Sequence, residues 1–450
     1  MSKTEVVWFK DLNRWDVGYY INNIFNSKYP LYAFGEFLAK YEAEWEVLVP
    51  DKSYPILGVR SYGMGVYKNR IALGKSLITK TTKQYQKIKS GNLFWCKVDT
   101  KNGAFGITKK EHNICYASHN MIQAEIIKDV IIPDFLQHLF ACEFFYKFLD
   151  SRVTGTTNRQ YISFKELMQI KIPLPPLEIQ REIVEKIKNI QDKIKALQNE
   201  EKRLKEEIEA YLYITLGLER KQEKKKQKVF VMEFKNLDRW DVKHNQDDVG
   251  NSNKVSFESI ENIVRYMQRG KTPKYSNIKQ YPVIAQKCIQ WNGIDMKKSL
   301  FIDPDSIKNY TQDRFLQDDD ILLNSTGIGT LGRVALYKST INPYAAAVAD
   351  GHVTVLRFDK DKILPNYFYC YFSSSMIQDS IEEYATGSTK QKELSLSLVK
   401  QIQIPLPPLE IQKQIVEHIE SKQKIIEDNK YKIENLQSDI NKELQELILA

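Results

Sequence analysis

The sequence predicts an α+β protein of two mixed domains, each followed by a long helix, and three observations carry that prediction. The nonapeptide IPLPPLEIQ at residues 172–180 recurs letter for letter at residues 404–412. A heptad-like apolar stripe follows each copy. Ahead of each lies a long stretch in which short β-rich runs alternate with turn signals. At 450 residues the chain is too long for one hydrophobic core, so two or more domains are expected.

Self-similarity organises the chain before any local assignment is needed. At the separation set by the nonapeptide, Thr154-Gly155-Thr156-Thr157 lies over Thr386-Gly387-Ser388-Thr389, and Phe164-Lys165-Glu166-Leu167 lies over Leu396-Ser397-Leu398-Val399. A second pair opens each half. Phe9 to Val17 and Phe234 to Val242 differ only where Asp11 and Asn13 face Asn236 and Asp238. Between opener and nonapeptide the halves diverge beyond alignment, so matched frames alternate with unmatched inserts. The resulting divisions are 1–171, a first mixed domain; 172–219, a first helix; 220–228, a charged linker; 229–403, a second mixed domain; and 404–450, a second helix.

The nonapeptide is a boundary signal, because its prolines forbid helix and strand interiors while good helix formers follow Leu177 and Leu409. In the first helix the apolar seam runs through Ile179, Ile183, Ile187, Ile190, Ile194, Leu197, Leu204, Ile208 and Leu212. The second repeats it in register with Ile411, Ile415, Ile419, Ile426, Ile433, Leu436, Ile440 and Leu444. Its defects differ, since Lys422 and Asn429 stand where the first helix has Ile190 and Leu197. Polar seam residues fix register and partner at some cost in stability, which suits two helices meant for each other. A single such stripe fits an ordinary amphipathic helix; two matched stripes in one chain favour the pair. Each seam covers roughly 60 Å of helix. The linker Arg220 to Lys228 reads as a solvated tether.

Residues 18–153 and 243–385 contain strand-like runs at Trp45 to Val49, Ile321 to Leu323 and His352 to Phe358. In the second insert, Asp318 to Gly327 passes from a turn through a buried strand into a polar loop that ends at Arg333. Small polar residues and glycines let a backbone come close to a phosphate or a groove edge, and Arg333 offers a bidentate fork. The first insert has a Gly-rich stretch from Gly58 to Gly65, followed by Lys68, Arg70, Lys75, Lys80 and Lys83 and interleaved with Tyr62 and Tyr67. That pattern suits a nucleic-acid surface or, more plainly, a turn beside a solvated charged face. The candidate DNA-facing residues are Arg60, Ser61, Tyr62, Lys75, Lys271, Asn324, Ser325, Thr326 and Arg333.

Composition narrows the function classes. With 66 basic against 57 acidic residues, the net charge of +9 favours a polyanionic partner. No apolar run is long enough to span a bilayer and Met1 to Glu5 carries no secretory pattern, so a cytoplasmic protein without membrane contact is expected. The five cysteines form no C-x-x-C pair, and the six histidines include no H-E-x-x-H, so neither disulfides, zinc nor metal catalysis is expected. Gly74-Lys75-Ser76 and Gly270-Lys271-Thr272 look like the end of a phosphate loop, but Asn69 and Arg265 stand where its first glycine belongs. Asn342-Pro343-Tyr344-Ala345 has no glycine-rich cofactor loop beside it. The acids Asp318, Asp319 and Asp320 read as a turn before a strand rather than as metal ligands.

Two recognition-sized domains, each closed by an IPLPPL turn and a long helix, make the chain resemble the specificity subunits of type I restriction-modification systems along essentially its full length. The resemblance extends to Thr386 to Thr389, to the Asn324 to Arg333 loop and to Gly351-His352-Val353. It departs from the family in the first domain, which shows no counterpart of that loop. It implies two target-recognition domains, with the helices paired as an antiparallel coiled coil that spaces them. Each domain would read one half of a bipartite double-stranded DNA site. A rigid spacer of roughly 60 Å can hold two readers on one face of a duplex about a helical turn apart. Two methylation subunits would dock on the helices, with Ile183, Ile187, Ile190, Ile194, Leu197, Ile415, Ile419, Ile426, Leu436 and Ile440 in the spacer seam. S-adenosylmethionine, ATP and Mg would belong to methylation and restriction/translocation subunits, and this chain would carry no cofactor and no catalysis. A free-standing nuclease and a coiled-coil assembly protein are the competing classes; metal-dependent cutting by the pure chain would mark the first, and failure to bind any duplex the second.

Overall fold

The computed structural model describes residues 27–97, 103–127, 129–150, 164–218, 255–327, 329–387 and 392–449. The opener pair, the charged linker, Thr154 to Thr157, Ser388 and Thr389 lie outside the described residues. Two compact units divide the chain: residues 1–198 with 430–450, and residues 199–429. The division passes through both long helices, so each unit holds one mixed domain and a part of each helix.

In the first unit, Leu38–Lys40, Met121–Ile126, Leu93–Cys96 and Phe105–Ile107 form a four-stranded antiparallel sheet in that order. A five-stranded sheet follows the order Trp45–Val47, Gln84–Lys87, Tyr116–Ala117, Ser53–Val59, Val66–Leu73. Its Tyr116 pairs in parallel with Ile56. Leu93, Trp95, Phe105 and the helix Pro133–Ala141 supply the fully buried centre, where Phe105 and Phe140 stack at 4.1 Å. Such stacked, wholly buried aromatics are a large share of a core's apolar burial.

The second unit repeats this plan although its sequence cannot be aligned with the first. Val264–Arg269, Val353–Phe358, Ile321–Asn324 and Val334–Leu336 make a four-stranded sheet of the same order and sense. A second sheet runs Tyr275–Ser276, Leu300–Ile302, Pro282–Ile284, Val348–Ala349, and again one pairing is parallel, Val283 with Val348. The three sequence-expected strands are present as Trp45–Val47, Ile321–Asn324 and Val353–Phe358.

Each nonapeptide begins in a strand and ends in a helix. Lys171–Pro173 pairs antiparallel with Leu31–Ala33, and Gln403–Pro405 pairs with Phe257–Ser259. The long helices then run Leu177–Leu216 and Leu409–Leu449, starting directly after the proline pairs. Within the first unit, Ile183 and Ile187 share a core with Leu444, and Lys186 Nζ donates to Glu443 at 2.6 Å. Within the second, Asn429 Nδ2 donates to Glu200 at 2.9 Å, Lys422 Nζ donates to Glu207 at 2.5 Å, and Tyr211 stacks on His418 at 3.8 Å. Residue numbers rise on one helix as they fall on the other, so the pairing is antiparallel. The two seam defects thus have acidic partners. Of the seam residues, Ile183, Ile187, Ile415, Ile419 and Ile426 are buried; Ile190, Ile194, Leu197, Leu436 and Ile440 are half-buried.

Candidate nucleic-acid interface

The last glutamine of each nonapeptide explains how a mixed domain holds its helix. Gln180 and Gln412 are fully buried, which for an amide is tolerable only if its donors and acceptor are paired. Gln180 accepts from Ile132 N at 2.8 Å and donates to Val130 O and Pro175 O. Gln412 accepts from Leu364 N at 2.8 Å and donates to Lys362 O and Pro407 O. Ile132 and Leu364 each immediately precede a proline that opens a helix, Pro133–Ala141 and Pro365–Phe372.

In the second unit several loops collect at one end of the four-stranded sheet, because Arg269, Asn324, Val334 and Val353 are strand ends in mutual register. These are Gly270 to Thr272, Ser325 to Arg333 and Asp350 to His352. Against them lies the segment Gln286 to Ile294, whose short strands Ile289–Gln290 and Gly293–Ile294 form a hairpin with Trp291 and Asn292 at its turn. Gln286 Nε2 donates to Thr326 Oγ1 at 2.5 Å, and Thr326 Oγ1 lies 3.0 Å from His352 Nδ1. Thr386 and Thr326 both pair with Glu393, whose carboxylate meets Arg269 at 2.6 Å. Tyr275 donates to Asp350 at 3.2 Å, and burial together with that carboxylate pushes the phenol up to about 12, so it remains a donor.

Two of the expected DNA-facing residues turn out to be anchors. Asn324 and Ser325 are fully buried: Asn324 N and O bond Arg333 O and Gly332 N across the loop, and Ser325 Oγ lies 2.5 Å from Thr354 Oγ1. A β-ladder closing directly onto a loop leaves its first residues inside. Thr326 is half-buried, Lys271 is exposed over the Tyr310 ring at 5.2 Å, and Arg333 lies over the Trp291 ring at 5.4 Å. Gly332 has φ +79° and a Cβ there would come within 2.4 Å of Ile381, so the loop requires glycine.

In the first unit Arg60, Ser61 and Tyr62 occupy the turn between Ser53–Val59 and Val66–Leu73. Tyr62 takes φ +58°, Gly63 N donates to Gly103 O at 2.7 Å, and Gln137 Nε2 donates to Gly63 O at 2.6 Å. Arg60 lies over the Tyr67 ring at 5.1 Å. Lys75 is elsewhere. It follows Leu73 at the opposite end of the hairpin, a strand length of roughly 20 Å away. At the corresponding place in the first unit, residues 97–104 connect Leu93–Cys96 and Phe105–Ile107, but 98–102 lie outside the described residues, and so does the expectation that this domain has no counterpart of the Asn324 to Arg333 loop. In each unit a hairpin turn lies against the connection between the third strand of the four-stranded sheet and its edge strand, Gly63 meeting Gly103 in the first and Trp291 meeting Arg333 in the second.

The acidic run is a turn. Asp319 binds Lys338 and Lys360, Asp318 accepts from Ser339 N, and the buried Asp320 is gripped by Arg357. Among the described residues no helix is long and apolar enough to cross a membrane.

Residues 50–210 and 252–438 match the type I restriction modification DNA specificity domain, which is well over half of the chain, and the chain belongs to that family. Each match covers most of one recognition domain and a large part of the helix after it. Among curated relatives, the MjaX specificity subunit of Methanocaldococcus jannaschii is 27% identical over 42% of this chain and 41% of its own length. The type I restriction enzyme MjaVIII specificity subunit of the same organism is 25% identical over 71% of this chain and 70% of its own length. The chain thus spans less than half of the first relative and about two thirds of the second. A solved chain from work on complex assembly and conformational transition of the type I R-M system superposes with a TM-score of 0.56 at 14% identity, covering 93% of this chain and 97% of that one. At that identity the likeness is one of fold.

Proposed function

We propose that this chain is the sequence-specificity subunit of a type I restriction-modification complex and that each unit reads one half of a bipartite DNA target. One observation carries the reading: two domains of divergent sequence share the order and sense of their four-stranded sheets, each with a hairpin turn beside the connection from the third strand to the edge strand. A repeated junction with variable side chains is what two readers of different half-sites require, because phosphate contacts position a protein while its side chains at base edges specify sequence. The helices set the gap in the target and receive two methylation subunits. Adenine methylation with S-adenosylmethionine, and ATP- and Mg-dependent translocation and cleavage, belong to partner subunits, so the chain itself recognises without catalysing and works in the cytoplasm.

The test is to co-express the chain with its cognate methylation subunits and map N6-methyladenine across host DNA. A split motif with two short specific parts is expected. An uninterrupted motif, or none, overturns the reading.

A further inference from the structure

We infer that Arg333 reads a guanine through its major-groove edge and that Trp291 is the positioning residue that holds it for that task; the inference rests on the proposed DNA reading of the second unit. Arg333 follows directly on Gly332 and precedes the strand Val334–Leu336, so its backbone is fixed by the sheet. Its guanidinium lies over the Trp291 ring at 5.4 Å, and Nη2 donates to Gly329 O at 2.8 Å. Nε is buried without a hydrogen-bond partner. Gly329 O takes one N–H of Nη2, which leaves three terminal N–H donors, one on Nη2 and two on Nη1. Two parallel donors in one plane match the paired O6 and N7 acceptors of guanine.

The mounting of the indole restrains the guanidinium. Trp291 sits in the two-residue turn of the Ile289–Ile294 hairpin, with half its surface exposed, its carbonyl 3.5 Å from Tyr369 Oη. Gln286, just before that hairpin, is bonded to Thr326 of the arginine's own loop. The ring and the guanidinium are therefore carried by two segments that are tied together. A guanidinium restrained by Gly329 O and by an aromatic face offers its remaining donors in a fixed direction, which suits a bidentate acceptor; a guanine edge and a phosphate both take such a fork, and a loss confined to one base pair distinguishes the first.

The experiment maps N6-methyladenine for the full chain in complex with its methylation subunits, comparing the wild type with Arg333→Met, Trp291→Leu and Trp291→Phe. Expected is a G·C pair in one half of the motif at which Arg333→Met and Trp291→Leu each reduce discrimination by roughly five- to hundredfold, while all other positions hold. Trp291→Phe, which keeps an aromatic face, retains the wild-type preference at that pair. Arg333→Met keeps much of the side-chain volume, so it still decides the matter if Trp291→Leu fails to fold. A split motif whose positions are all unchanged in Arg333→Met overturns the inference and leaves the proposed function standing, as does an equal weakening at every sequence, which marks a phosphate contact. Absence of a split motif in the wild type instead overturns the function itself and this inference with it.

Discussion

Arg357 holds the fully buried carboxylate of Asp320 through two parallel bonds, Nε to Oδ1 at 2.7 Å and Nη2 to Oδ2 at 2.8 Å. Arg357 also lies over the Tyr266 ring at 4.7 Å and donates to Phe315 O, and the carboxylate holds its guanidinium above the usual range. Removing one partner strands the other charge. Asp320→Ala is expected to cost the second unit about 3 kcal/mol, the low end for a broken buried pair because Arg357 keeps some solvent contact. Urea unfolding followed by hydrogen exchange of the Ile321–Asn324 strand measures it, and a loss below about 1 kcal/mol would show the pair to be unimportant.

Gln180 and Gln412 make the same three bonds in their own units. Either Gln→Leu change buries one N–H and two carbonyls without partners, which is expected to cost about 2 to 4 kcal/mol. Thermal unfolding of the two single variants should show comparable falls in Tm, and an unchanged Tm would mean that water replaces the amide.

The two halves should fail independently. Gly63 has φ +62° and a Cβ there would lie 2.3 Å from the backbone of Phe140 and Ala141; Gly332 is as crowded against Ile381. Gly63→Ala is expected to blur one half of the methylated motif and Gly332→Ala the other. If both variants blur the same half, the assignment of one half to each unit fails.

Placement of the lysines separates their effects on affinity. Lys271→Ala is expected to reduce the slope of log K against log salt by about 1, as the loss of one phosphate contact does. Lys75→Ala, at the far end of its hairpin, should leave that slope alone. Filter binding across a salt series distinguishes them.

Acid should loosen the helix pair. Burial beside Lys422 holds His418 below the usual histidine range, and the Lys422 hydrogen bond holds Glu207 below the usual carboxylate range. Both folded values are depressed, so each contribution is complete above the unfolded value, near 6.5 for histidine and 4.3 for glutamate, and is lost as pH falls through the folded one. Facing His418 are Tyr211, Glu207 and Lys422. Tm should therefore decline from about pH 6.5 downward, and His418→Phe, which preserves the stack, should flatten the upper part of that decline.

How much of this was legible in the sequence depended on whether a feature was local. Prolines before Leu177 and Leu409 mark helix starts wherever they occur, and the seam from Ile179 to Leu212 states its own period. The acidic partners of Lys422 and Asn429 were not readable, because choosing Glu207 and Glu200 requires the register between helices. The shared plan of the two inserts was hidden because strand pairing constrains burial more than identity. Ile132-Pro133 and Leu364-Pro365 stand at the separation set by the nonapeptide and could have exposed it. Asn324 and Ser325 looked solvent-facing because polarity was visible and the closing ladder was not. Trp291 was missed for the converse reason, although Asn292-Gly293 after a short apolar run is a hairpin signal.

The three bonds of Gln412 also make the start of the second long helix a keyed joint. Its first turn is fastened to Lys362 and Leu364 by one amide, and the next turns, through Ile415 and Ile419, share a core with Ile363, Tyr367 and Phe368. A change at that single side chain would strand Leu364 N, Lys362 O and Pro407 O together, so helix and sheet domain would loosen at one stroke, not bond by bond.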